Sequence, residues 1–236
     1  MKYIENRSEK TRARVEEAER MRRYSIDVHS DFLEIMRSVG GVLTYDQAAN
    51  IIQNIDERAV QSKAFAPSRY LMSEFKSGIV TSDIENGIIY LGRKTNAKAF
   101  DPTILWALNY IFRQCKSVDD YMSIDVLAGG AGKNIQYCVD GEYCRLYFAS
   151  SLTIQDTARR ILQNEELLYR SAGNIDSIRP LYVIFLTDTD KAKIELSLER
   201  LDGIGLQVSH KVVSVFGGWR DLKPEYTEYT ISAEEE

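Results

Sequence analysis

Five carboxylates in the second half of this 236-residue chain, Asp125, Asp140, Glu142, Asp188 and Asp190, are of the type that could hold a divalent cation. Metal-dependent phosphodiester cleavage needs such acids to converge on an ion that activates water, with a nearby lysine to balance the charge that develops. The stretch Asn134-Ile135-Gln136-Tyr137-Cys138-Val139-Asp140-Gly141-Glu142-Tyr143-Cys144-Arg145-Leu146-Tyr147-Phe148-Ala149-Ser150 holds no acid-x-Lys triplet. Its only acids flank Gly141, where turn chemistry accounts for them, and Asp125 lacks an acidic partner on the strand that follows. Asp188-Thr189-Asp190 stands at the carboxyl end of an apolar run, a place where α/β proteins put ligand groups. Asp or Thr ahead of a helix is equally the commonest cap, and capping is the preferred reading.

Other chemistry fails on spacing. Gly129-Gly130-Ala131-Gly132-Lys133-Asn134 lacks the earlier glycine and the final Ser or Thr of a phosphate loop, and it leads into a strand, with no helix N-terminus to meet a phosphate. The two histidines, His29 and His210, read as a helix edge and a strand, so no Ser or Cys has an evident base. Cys115, Cys138 and Cys144 are odd in number and widely spaced, which fits buried small hydrophobes better than a disulfide framework or a zinc site. The expected sets of catalytic residues, metal ligands and cofactors are therefore empty.

Elements that could position a binding surface are clearer. Phe32, Leu33, Ile35, Met36 and Val39 recur at helical spacing and stop at Gly40-Gly41. Leu43-Thr44 leads into a second helix over Tyr45 to Ile52, with Thr44 as its N-cap. A third helix begins near Pro67, carries Tyr70, Leu71 and Phe75, and stops at Gly78. Ile79 to Thr81 and Ile88 to Leu91 then form a hairpin around Asp83-Ile84-Glu85-Asn86-Gly87. This series spells a winged helix-turn-helix over 25–95, preceded by a charged arm or helix over 1–24.

Such a module reads base edges with its third helix and holds phosphates with basic flanks. Once the core positions are removed, the polar residues left are Ser62, Lys63, Ser68, Arg69, Ser73 and Lys76, with Arg93 and Lys94 after the wing. Arg69 and Lys76 lead this set. Asp83 and Glu85 at the wing tip would repel phosphate. The net charge of −5 excludes a chain coated in phosphate-binding groups, but the basic residues gather toward the front and the acidic ones behind. The longest apolar run, Leu181 to Leu186, is far below the ~18 residues a membrane span requires. The first residues lack an apolar signal region, so a cytoplasmic location is expected.

Asp101-Pro102 marks a helix start, continued by Ile104, Leu105, Leu108, Ile111 and Phe112. Strand-like runs follow at Tyr121 to Leu127, Ile135 to Val139 and Tyr143 to Ala149, the last two joined by the hairpin signal Asp140-Gly141. A helix from Ile154 to Arg170, a buried strand at Leu181 to Leu186, a helix from Lys191 to Leu201 and a strand from Leu206 to Phe216 complete the series. The expected fold is α+β: the winged helix, then a mixed-sheet α/β domain over 100–216 in the order αβββαβαβ, then a C-terminal tail over 217–236.

That order resembles the restriction-endonuclease-like core. A winged helix followed by such a core is similar to the replication-relaxation proteins and related uncharacterised families of Gram-positive mobile elements, over roughly Asp31 to Phe216. The resemblance rests on element order, the segment Leu43-Thr44-Tyr45-Asp46-Gln47-Ala48-Ala49, the wing, and the runs Tyr143 to Ala149 and Leu181 to Leu186. It implies a nuclease site on the hairpin whose acids have been lost. The expectation is a non-catalytic regulator of transcription or replication that contacts duplex DNA, its second domain serving for homodimer or partner contact. A protein-binding inhibitor or adaptor acting on a nucleic-acid enzyme is the alternative. A metal-dependent nuclease using Asp125, Asp140, Glu142 or the Asp188 and Asp190 pair is the third reading.

Overall fold

The computed structural model describes residue 16 and residues 29–56, 72–83, 87–92, 102–129, 132–172, 180–206, 208, 210–216 and 225–231. A helix over the described residues 29–38, α1, buries Phe32, Ile35 and Met36 completely, with Val39 just beyond its end. Two glycines stop it. Gly40 and Gly41 take φ of 92° and 78°, which side-chain-bearing residues rarely adopt, and their N–H groups donate to the Arg37 and Met36 carbonyls at 3.1 and 2.8 Å.

The chain then forms β1 (Val42–Thr44), α2 (Tyr45–Ile55), α3 (Met72–Ser77), β2 (Val80–Asp83) and β3 (Ile88–Leu91). The three strands make an antiparallel sheet with β3 in the middle, in the order β1-β3-β2. Thr44 caps α2 as its sequence predicts: its Oγ1 accepts from Gln47 N at 3.1 Å, and Gln47 Oε1 accepts from Thr44 N at 3.0 Å. Strand β1 was not expected. It is three residues long, and only Leu43 is buried, so it is a strand because β3 offers it partners.

The larger unit begins with α4 (Pro102–Phe112) and α5 (Val118–Met122). Tyr121 is helical and does not begin the strand expected there. Ser117 and Asp120 close a capping box that draws Tyr121 into α5, where it is fully buried, and the strand starts at Asp125. Strands β4 (Asp125–Gly129), β5 (Gly132–Val139) and β6 (Glu142–Ala149) form an antiparallel meander. Helix α6 (Ile154–Ala172) crosses to β7 (Leu181–Leu186), and α7 (Lys191–Asp202) crosses to β8 (His210–Phe216), so β6, β7 and β8 run parallel. Part of the stretch set aside as a tail is a sheet strand: β9 (Glu225–Ile231) pairs antiparallel with β8 from His210↔Ile231 to Phe216↔Glu225.

The result is a mixed six-stranded sheet in sequential order, β4 to β9. Residues alternate between its faces. Cys144, Leu146, Val183, Phe185, Val213 and Val215 face α4, while Tyr147, Ala149, Tyr182, Ile184, Leu186 and Val212 pack with Ile154, Ala158 and Ile161 of α6 and Ile194 and Leu201 of α7. The first of these clusters continues without a break through Leu105, Leu108, Ile111 and Phe112 of α4 into Ile51, Ile52 and Ile55 of α2 and the buried face of α1. One core therefore serves both sheets. Gln47, only 3% exposed, adds a polar tie by donating from Nε2 to the Leu105 carbonyl at 2.8 Å, and Asn54 Nδ2 donates to Tyr121 Oη at 2.6 Å. Among the described residues no helix is long and apolar enough to cross a membrane.

Candidate nucleic-acid interface and the polar face of the larger sheet

Helix α3 packs on β2, and its half-buried Phe75 reaches the shared core. Lys76 in its last turn is exposed, with Ser77 beside it. Ser73 lies on the same helix by its backbone. Ser62, Lys63, Ser68, Arg69, Arg93 and Lys94 lie outside the described residues, so of the eight candidate polar residues only Lys76 has a described side chain. One expected obstacle is removed. Asp83 is 6% exposed at the end of β2, paired with Ile88 across the sheet, and does not display its charge at the tip.

Three of the five acids have structural work. Asp140 and Gly141 sit at φ of 52° and 80°, both positive as a two-residue hairpin turn demands, and the register runs from Val139↔Glu142 to Asn134↔Tyr147. The Asp140 carboxylate meets Lys116 Nζ at 2.6 Å in solvent, a contact that raises the Lys116 pKa. Asp190 caps α7, accepting from Lys193 N at 3.2 Å. Asp188 reaches the neighbouring crossover instead: its Oδ2 accepts from Ser151 N at 2.5 Å, while Arg200 donates to the Ser151 carbonyl. That pair ties the ends of β6 and β7 to α7. Asp125 and Glu142 are exposed, and among the described residues no three His, Cys, Asp or Glu side chains are grouped to hold a metal ion.

The nucleophile candidates are equally occupied by packing. Burial pushes the Cys115 thiol up to about 12 and the Cys144 thiol up to about 11, so neither supplies thiolate near neutrality. Cys138 is only half-buried, against the expectation that all three are core residues. His210 is 1% exposed and turns Nδ1 to the Val208 carbonyl at 2.7 Å.

A different cluster, absent from the expected sites, occupies the α6 side of the larger sheet. The hairpin register places Gln136 beside Arg145, and Asn134 beside Tyr147. Tyr143, Arg145 and Tyr147 follow at alternate positions of β6 and so share that face. Gln136 is satisfied when its amide nitrogen donates to Tyr143 Oη at 2.9 Å and its oxygen accepts from Arg145 Nε at 3.3 Å and Nη2 at 2.6 Å. Asn164 of α6 donates to Tyr147 Oη, and the Tyr182 hydroxyl donates to Glu165 Oε1 at 2.7 Å. Burial works against the charge on Arg145, but the phenolic oxygens of Tyr147 and Tyr143 outweigh it and hold the pKa above the ordinary arginine value.

Sequence reading missed this cluster because it searched the hairpin for acids and lysine. The signal was present in the turn. A two-residue Asp140-Gly141 connection sets 136 opposite 145 and 134 opposite 147, which brings two amides, two tyrosines and an arginine together. Arg145 is the only cation on this part of the face among the described residues. No protein family matches this chain, and no curated protein is similar to it.

Proposed function

We propose that this chain is a non-catalytic DNA-binding regulatory protein: the N-terminal unit acts as a winged helix-turn-helix on duplex DNA, and the larger unit is a nuclease-like domain without the nuclease's acids. The observation that carries the reading is the arrangement, among the described residues, of helix, strand, helix, helix and hairpin around a small sheet ordered β1-β3-β2. In that arrangement α2 is committed to α4 and α5. The third helix is left to face a partner, with the hairpin as its wing. Lys76, Arg69 and Lys63 would then meet phosphates or base edges, with Arg93 and Lys94 behind the wing. The larger unit serves dimerisation or partner contact, and control of replication or transcription on a mobile element is the setting that fits both.

The test is an electrophoretic shift with duplex DNA at several salt concentrations. Log affinity should fall linearly with log salt, with a slope of about −0.9 per phosphate contacted. Arg69→Glu with Lys76→Glu should abolish the complex at micromolar protein without changing the far-ultraviolet circular dichroism. A wild-type chain that forms no salt-sensitive complex, or a double variant that shifts DNA as well as wild type, rules the reading out.

A further inference from the structure

The larger sheet has two outer strands, β4 and β9, and among the described residues neither has a strand on its outer side. They are guarded differently. Strand β9 carries Glu225 and Glu228, both exposed, and charges on an edge strand discourage pairing with another chain. Strand β4, Asp125-Val126-Leu127-Ala128-Gly129, has a single charge at its first residue and neither lysine nor proline. It has no bulge either, because its register with β5 runs unbroken from Asp125↔Gln136 to Gly129↔Gly132.

That register fixes which backbone groups face outward. Two residues separate Gly129 from Gly132, which makes them a hydrogen-bonded pair, and the ladder alternates from there. The same parity holds one step beyond the strand, where Ser123 Oγ accepts from Cys138 N at 2.8 Å and donates to the Cys138 carbonyl at 3.0 Å. Asp125, Leu127 and Gly129 therefore spend their N–H and C=O groups on β5, while Val126 and Ala128 turn theirs away from it. Val126 is half-buried against the shared core, and Leu127 is half-buried on the other face.

We propose that β4 is the contact through which two copies of this chain pair, as antiparallel edge strands about a two-fold axis at Leu127. Val126 then stands opposite Ala128 of the second copy, so all four outward groups of each strand are used, in four hydrogen bonds. Leu127 meets its own copy, and Asp125 faces Gly129, which has no side chain, so no acid meets another. Strand β9 does not allow this, because pairing about its centre sets Glu228 against Glu228. Joining β4 to β9 of another copy is head-to-tail and does not close at two chains. The axis of the β4 pair stands perpendicular to the sheet. Both copies thus turn the face that carries α4, and through the shared core α1 and α2, to the same side. This gives the dimer contact of the larger unit a place. It rests on the duplex-DNA reading only in one consequence, that two winged helices would meet the halves of an inverted repeat.

The experiment is sedimentation equilibrium of the full chain from micromolar to submillimolar concentration, where a monomer–dimer equilibrium is expected. Leu127→Glu and Leu127→Lys each set a charge against its own copy and should weaken the dimer at least about tenfold. An equal mixture of the two should restore it, since each Glu then meets a Lys. Val126→Pro removes an outward N–H that β5 does not use, so it should weaken the dimer and keep the hairpin. It also serves if the Leu127 variants lose the circular dichroism of the fold. Glu225→Lys, on the opposite edge, should leave the dimer unchanged. A wild-type chain that stays monomeric overturns the proposal, and β4 amides as protected from hydrogen exchange as those of β5 would then assign the edge to another segment of this chain. A dimer that all three β4 variants leave unchanged overturns it as well. A monomer that still shifts duplex DNA refutes this contact alone, and a β4 dimer that forms no DNA complex refutes the DNA reading alone.

Discussion

Gln47→Ala is the substitution that tests the shared core most directly. In the wild-type chain Gln47 is buried, its Oε1 accepts from Thr44 N at 3.0 Å, and its Nε2 donates to the Leu105 carbonyl at 2.8 Å. Each of these hydrogen bonds is worth about 1 kcal/mol, and the lost methylene packing about 1 kcal/mol more. The expected loss is therefore roughly 3 kcal/mol, which for a chain of this length is a fall of about 6–12 °C in thermal midpoint. Urea unfolding followed by circular dichroism and by tryptophan fluorescence should give coincident single transitions for both proteins, displaced but not split. Gln47→Glu adds a sign. The introduced carboxyl can still accept from Thr44 N but must face the Leu105 oxygen, so its pKa in the folded state should rise above its unfolded value. That variant should be weakest near pH 7 and regain stability as pH falls through the raised pKa, when the protonated group donates to Leu105. A loss under about 0.5 kcal/mol for Gln47→Ala, or two separate transitions in the wild-type protein, would refute the argument that one core joins the two sheets.

Three further outcomes follow from other parts of the fold. Gly141→Ala should cost about 1–2 kcal/mol in denaturant unfolding purely through its backbone, because φ is 80° and no atom lies within 4 Å of the added carbon; an unchanged midpoint would deny the turn type. Asp188→Asn should unfold like wild type because its amide oxygen still accepts from Ser151 N, whereas Asp188→Ala should lose about 1 kcal/mol; magnesium-dependent plasmid cleavage that disappears in Asp188→Asn would restore a metal role. In iodoacetamide labelling of the native protein at pH 8, half-buried Cys138 should react first. Cys144 and Cys115, raised to about 11 and about 12, should carry thiolate fractions near 10⁻³ and 10⁻⁴ and lag far behind, speeding up as pH rises; equal rates at all three sites would contradict their burial.

What could be read from sequence was whatever leaves a local signature. The Asp140-Gly141 turn, the Thr44 cap, the glycine stop after α1 and the continuous apolar strand β7 each depend on a few adjacent residues and stand where they were expected. What escaped depends on partners far along the chain. Strand β1 is a strand only because β3 lies beside it, and α5 is too short for helical periodicity to show, leaving the Ser117-x-x-Asp120 box as its sole mark. In β9 the run Glu225-Tyr226-Thr227-Glu228-Tyr229-Thr230-Ile231 does alternate, and it sends Tyr226 and Tyr229 to opposite faces of the sheet. Its weak apolar content hid it, because an edge strand beside β8 needs less burial than a central one.

The carboxylates and the arginine of the larger sheet illustrate the same distinction in chemical terms. Asp140, Asp188 and Asp190 first suggest a cation site, but each is employed close to home: one in a positive-φ turn with Lys116, one on Ser151 N, and one at the start of α7. Removing any of them predicts a structural loss of the size of one hydrogen bond or cap. Arg145 is employed in the same way, by neutral partners: the Gln136 oxygen accepts from its Nε and Nη2, and the phenol oxygens of Tyr143 and Tyr147 favour its charged form. Arg145→Gln should therefore lose about 1–2 kcal/mol in urea unfolding, as Asp188→Ala loses about 1 kcal/mol. An unchanged midpoint for Arg145→Gln would show that the hairpin holds Gln136 and the two tyrosines without it.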